Sequence, residues 1–180
     1  GEESTFTVTA MRSVGIPARQ VYTPRWAHSD DNHAWVEVFI NGEWKYLGAC
    51  EPEPVLNKAW FDGPVLRAMM VHTKAFGQYK GDERVLGKYD KYSVLNLLSN
   101  YGPTKDFTVL VEREDGTVNS HAYVEIGLYN YAEYYPLKSG IVDENGSFSI
   151  NTGYGDVRIF VSDSTGRFAI EKVSVEKVDT

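Results

Sequence analysis

The segment HAWVEVFI-NG-EWKYLGAC, residues 33–50, constrains the fold more than any other part of this chain. Two alternating runs flank Asn41-Gly42. Asn-Gly tolerates positive φ at both centres of a two-residue turn, and such turns match the natural twist of paired strands. In the first run Trp35, Glu37 and Phe39 share one face, and Ala34, Val36, Val38 and Ile40 share the other. An antiparallel hairpin over 33–50 follows. His33 heads its first strand, directly after the polar loop HSDDN at 28–32.

Upstream, EESTFTVTAMRSVGIPAR (2–19) begins with acids and a Ser-Thr pair, which suit a helix start. Phe6, Ala10 and Val14 recur at helical spacing with Met11 beside them, so they are expected to form its buried face. Gly15 supplies a left-handed stop and Pro17 prevents continuation. A strand then runs from Ala18 to Pro24. The order is helix, strand, strand, strand.

EPEP at 51–54 breaks this pattern, and residues 55–91 read as irregular. Their apolar piece at 64–76 is either one helix or a strap over the first unit, with Met69 and Met70 in a core. Residues 92–104 read as a strand followed by a hinge at Gly102-Pro103. From 105 onward short strands alternate with the turns EDGT, DENG and STGR, the pattern of a sandwich. The expected architecture is α+β over 1–103, a helix plus an antiparallel sheet, followed by an all-β sandwich over 104–180.

Charge supports such a division. Residues 1–103 hold 11 Lys+Arg and 12 Asp+Glu; residues 104–180 hold 7 and 13. Neither part has the basic excess that nucleic acid or anionic lipid demands. No apolar run is long enough for a transmembrane helix. The single Cys50 excludes an intrachain disulfide and a CxxC-type zinc site.

The chemistry centres on His33. It is either a base or an ordinary solvated imidazole at a loop edge. Trp26 and Trp35 on either side make an aromatic-walled cleft plausible, in which an imidazole titrates near neutrality. The hairpin brings Gly48–Glu51 beside the start of the His33 strand, and Glu51 is the nearest carboxylate able to fix the tautomer. Cys50 lies on a strand end with only His33 to activate it, so it reads as a small semi-buried apolar residue. His28, Asp30, Asp31 and His33 lie close in sequence, but on a loop whose spacing suits solvent better than a metal. No metal and no cofactor are expected. Trp26, Tyr22 and Trp35 are the candidates for substrate contact.

The runs AMRSVGIPARQVYTPRW and NHAWVEVFINGEWKYLGACEP resemble the core of the transglutaminase-like superfamily, within the papain-like cysteine amidases and peptidases. The resemblance covers about the first fifty residues. It implies a cysteine at the N-terminus of the first helix, and from Gly15 that position falls just before Gly1. On this reading the chain is a fragment of a longer protein and inactive as it stands. The resemblance makes His33 the base and a protein or peptide amide the substrate, with hydrolysis favoured over cross-linking. The family's aspartate falls at or near Gly48, so Glu51 is the substitute.

The later segments YVEIGLYNY, DENGSFSI and NTGYGD are similar to carboxypeptidase-regulatory-like, prealbumin-type sandwiches of bacterial surface proteins. That resemblance implies a spacer or a contact module for cell-surface polymers. It also implies a periplasmic, extracellular or cell-surface location. The rival expectation is a non-catalytic surface-binding or scaffold module throughout.

Overall fold

The computed structural model describes residues 1–177. The hairpin forms as its sequence requires. Strands β2 (His33–Ile40) and β3 (Glu43–Leu47) pair antiparallel, with Ile40 opposite Glu43. Asn41 and Gly42 both take positive φ, 54° and 87°. β3 ends at Leu47 rather than at Cys50.

Strand β1 (Ala18–Thr23) pairs with β2 along its length, Thr23 opposite His33. On its other edge lies β4 (His72–Phe76), followed by β6 (Tyr92–Asn96) and β5 (Arg84–Lys88). The result is a six-stranded antiparallel sheet in the order β3-β2-β1-β4-β6-β5. Residues 55–91, read from the sequence as irregular, thus supply two of its strands and the short helix α2 (Asp62–Val65). The segment 64–76 is neither one helix nor a strap over the first unit: it breaks after α2 and re-forms as a strand inside the sheet.

This overturns the α+β expectation. Helix accounts for 11% of the molecule and strand for 45%, in several antiparallel sheets, so the fold is nearly all β. The physical reason lies in β4 and β5. Their own alternation is weak, and pairing with β1 and β6 makes them strands.

Helix α1 (Glu2–Ser13) lies on one face of the sheet. Its buried side is Ser4, Val8 and part of Met11, packed against Ala18, Val36 and Val38. The expected face is therefore wrong: Phe6 is 75% and Val14 73% exposed. Gln20 orients the helix. Its amide donates to the Gly1 carbonyl (2.9 Å), Ser4 Oγ (2.7 Å) and Thr5 Oγ1 (3.1 Å), which turns the Ser4 side toward the sheet. The C-terminus closes as expected. Gly15 takes φ 84°, its N–H donates to Arg12 O and that of Ile16 to Met11 O, a Schellman closure.

Beyond Tyr101 the chain builds two further sheets. β7 (Lys105–Leu110) pairs with β10 (Ser147–Thr152). β8 (Tyr123–Asn130), β9 (Glu133–Ile141), β11 (Asp156–Ser162) and β12 (Phe168–Ser174) form a sheet in the order β12-β11-β8-β9. Phe107, Phe148 and Ile150 from one sheet share a core with Val124, Ile126, Leu128, Val157 and Ile159 from the other, which is consistent with a β-sandwich. Met69 and Met70 are fully buried in this same core. The connection to the first sheet is close. Thr152 Oγ1 donates to the Met69 carbonyl at 2.6 Å. A β-carbon on Gly153 would stand 2.1 Å from the Ala68 carbonyl, so the backbones can only meet there because residue 153 is glycine.

Candidate active site

His33 is the first residue of β2 and partly buried. Four aromatic rings surround its imidazole. Trp26 and Trp35 lie roughly parallel to it, with centroids at 6.4 and 5.9 Å. Trp60 meets it edge-on at 4.8 Å and Phe61 at 5.2 Å. Trp35 and Phe61 are completely buried and Trp26 nearly so, whereas Trp60 is 49% exposed. The rings form the walls and Trp60 the solvent-facing lip.

Local bonding positions Trp60 and Phe61. Asn57, at φ 59°, exchanges bonds with the Tyr46 backbone: its N–H donates to Tyr46 O and its Oδ1 accepts from Tyr46 N, both at 2.9 Å. Asp62 Oδ1 accepts from Tyr46 Oη at 2.9 Å and from Ala59 N at 3.0 Å. Burial and the neighbouring Asp62 carboxylate push the Tyr46 phenol up to about 12. This buttons the 57–62 loop to β3. The sequence marks Trp60, with the other tryptophans, as core or cleft wall; Phe61 was not foreseen, its only signal being a Trp-Phe pair within an apparently irregular stretch.

Burial lowers the His33 pKa, the Glu51 carboxylate raises it, the Gly1 ammonium lowers it and Asp31 raises it, with a net downward shift. The ring therefore lies within electrostatic reach of both the N-terminus of α1 and Glu51. No hydrogen bond joins Glu51 to the ring among the described residues. Neutral at pH 7, such an imidazole can accept a proton.

Cys50 is exposed, not semi-buried. A hydrogen bond to Glu3 leads the causes that push its thiol up to about 11, with burial and the charges of Glu3 and Glu51 adding to it. That environment suppresses the thiolate a nucleophile needs. Gly48 is buried just after the end of β3. A β-carbon there would meet the Glu51 carbonyl at 3.1 Å, so any side chain must push that turn aside.

Tyr22 lies on the α1 side of the sheet, outside the ring box. Its hydroxyl donates to Gln20 Oε1 at 2.8 Å, its ring stacks on His72, and burial followed by the Glu2 charge raises its pKa. Asp30 and Asp31 are engaged by backbone: Asp30 Oδ1 accepts from Tyr131 N and Asp31 Oδ1 from Asn32 N, both at 2.8 Å. No group of His, Cys, Asp and Glu able to hold a metal occurs among the described residues.

Behind the ring box runs a buried polar chain. Trp35 Nε1 donates to Tyr101 Oη at 2.9 Å, and Tyr101 Oη donates to Glu37. Glu37 accepts from Arg19 Nε at 2.6 Å, and Arg19 reaches Glu83 with Nη1 at 3.0 Å and Nη2 at 2.6 Å. Burial, then the charge of Glu37, raises the Tyr101 phenol well above its ordinary value, so it remains a donor. The chain holds Trp35, one wall of the box.

The β8–β9 turn holds another wall. Asn130, almost fully buried, donates to the carbonyls of Trp26 (2.9 Å) and Ser29 (2.8 Å). The turn residues Tyr131 and Ala132 both take positive φ, 52° and 58°, which is costly for residues with a β-carbon. Arg25 braces the turn, lying 4.6 Å over the Tyr135 ring and 3.4 Å from Glu133 Oε1.

Residues 1–49 match the family model of the transglutaminase-like superfamily. The match includes α1, β1, β2 and His33, and ends two residues before Glu51. It makes this transglutaminase-like segment a possible relative of cysteine enzymes and bears on no substrate. No curated protein matches the chain. Among the described residues no helix is long and apolar enough to cross a membrane.

Proposed function

We propose that the transglutaminase-like segment is the histidine-bearing part of a cysteine enzyme acting on protein or peptide amides. The supporting observation is a partly buried, neutral His33 in an aromatic box, within electrostatic reach of the N-terminus of α1. A thiol one residue before Gly1 would feel the positive pole of α1, which favours its thiolate. His33 takes the thiol proton and the sulfur attacks the amide carbonyl. The imidazolium then protonates the leaving amine as the acyl–sulfur bond is left behind. Water completes hydrolysis, regenerating thiol and acid. Glu51 acts on the imidazole through its charge. Residues 104–180 serve as a spacer or contact module of prealbumin type, on a protein that works in the periplasm, outside the cell or at its surface.

A version with Cys placed before Gly1 and Cys50→Ser tests this. Its alkylation rate against pH should report a thiol pKa below the usual value of about 8.5. His33→Ala should raise that pKa and slow alkylation at acidic pH by about tenfold. An identical profile with and without His33 overturns the proposal.

One observation favours a non-catalytic binding or scaffold module instead. Glu51 makes no hydrogen bond to His33 among the described residues, and at Gly48, which the resemblance puts at or near the family's aspartate, a β-carbon would meet the Glu51 carbonyl. An unchanged pH profile in the same experiment would support this second reading.

A further inference from the structure

A cleft of about 510 Å³ opens where the 27–28 loop meets the β8, β9, β11 and β12 sheet. That volume suits a small ligand or a few residues of peptide. Trp26 joins the two places: its ring packs on His28, a lining residue, at 5.4 Å, and on His33 at 6.4 Å.

The lining is aromatic and cationic. Tyr129, Tyr134 and Tyr154 are 58%, 40% and 43% exposed. Three lining residues, Arg67, Arg158 and Lys172, are permanent cations, against the single acid Asp156. This bias occurs in a chain of net charge −7. Lys172 is spent on Asp156 at 3.0 Å. Arg158 lies 4.4 Å over the Tyr134 ring and gives Nη2 to Glu125, while its Nη1 has no protein acceptor among the described residues. Arg67 is exposed and has no carboxylate partner among the described residues. Its charge, after burial, helps to lower the His28 pKa, so the two side chains are neighbours.

We propose that this cleft binds an acidic peptide segment, with a Glu or Asp carboxylate on Arg67 and the adjoining backbone against the tyrosine rings. A guanidinium offers a carboxylate paired donors, and tyrosines supply rigid contact area at low entropic cost. The choice of peptide over another carboxylate polymer rests on the amide chemistry proposed for His33. The inference therefore deepens that reading by giving its substrate an acidic residue displaced from the amide.

The test is a direct binding measurement on the chain as it stands, with no thiol chemistry involved. Acetyl-Glu-Ala-Glu-amide and its neutral twin acetyl-Gln-Ala-Gln-amide are titrated while the ring resonances of the cleft tyrosines are followed by NMR. The acidic peptide should bind at least about tenfold tighter than the twin and weaken in salt. Arg67→Ala should weaken it about fivefold or more, and Arg67→Lys should restore part of the loss. Lys88→Ala, a charge removal outside the cleft, should leave binding unchanged. Equal binding of the twins, or an indifferent Arg67→Ala, overturns the proposal. So does an acidic sugar oligomer that shifts the same resonances when the acidic peptide does not. Acidic-peptide binding with no His33 effect on an added thiol would leave the cleft standing and remove the amide chemistry; the reverse result would do the opposite.

Discussion

Asn130 and Trp26 are joined by a side-chain to backbone hydrogen bond of 2.9 Å across 104 residues of sequence. Through it, a turn of the C-terminal sheets holds a wall of the His33 box.

Asn130→Ala removes both donors from a nearly fully buried site. Stability should fall by about 1–3 kcal/mol in urea denaturation. The loosened Trp26 should admit water, and the His33 pKa, read from ring resonances, should climb toward its ordinary value. Asn130→Asp should be worse, because a carboxylate would face two carbonyl oxygens. A His33 titration unchanged in Asn130→Ala would show that the bond does not support the box.

His72 titrates far from its usual range. Burial, and then the charge of Lys74, depress it to about 4, and its Nδ1 is buried without a partner. The folded chain therefore holds it neutral while the unfolded chain protonates near 6.5. Its contribution is fully present above that pH, declines as pH falls toward 4 and is flat below, a loss of up to about 3 kcal/mol. The lowered His33 acts in the same direction. His72→Phe keeps a ring against Tyr22 and removes the titration, so denaturation curves across this window should become less steep in pH than those of the parent.

Arg19→Met strands the Glu37 carboxylate, which is 3% exposed. The expected loss is about 3–5 kcal/mol. Arg19→Met combined with Glu37→Leu removes both charges and should be less destabilised than Arg19→Met alone. Urea denaturation of the two variants decides this, and a double variant no better than the single one would show that the charges do not depend on each other.

Cys50 should react slowly with iodoacetamide near neutral pH despite its exposure, because Glu3 accepts from its thiol and raises its pKa to about 11. Glu3→Gln should speed alkylation by about tenfold, one pKa unit of thiolate. Equal rates would mean that Glu3 does not control this thiol.

The helix end at GIPAR, the strand at HAWVEV and the turn after it were legible because their signals are local. Gly15 ends a helix, Asn41-Gly42 turns a hairpin and alternation sets the two faces of β2. The helix face was not legible. Phe6, Ala10 and Val14 have helical spacing, yet the three hydrogen bonds from Gln20 turn the Ser4 and Val8 side inward. Glu37 stood on the Trp35 face in the sequence pattern. Its partners Arg19 and Tyr101 are 18 and 64 residues away, so nothing local marked it as buried.

Elements with short-range signals could be read directly from the residues: the hairpin, the closure of α1 and the polar turns of the later strands. Backbone sterics act over a few residues, and a glycine or an Asn-Gly pair carries its conformation wherever the chain goes. Long-range packing put β4 in the middle of a sheet, carried Met69 and Met70 into the other core, and brought Trp60 and Asn130 to complete the surroundings of His33. Those outcomes depend on burial and hydrogen bonding between residues distant in sequence. No periodicity in either partner encodes such contacts, because each exists only once the other has been brought to it.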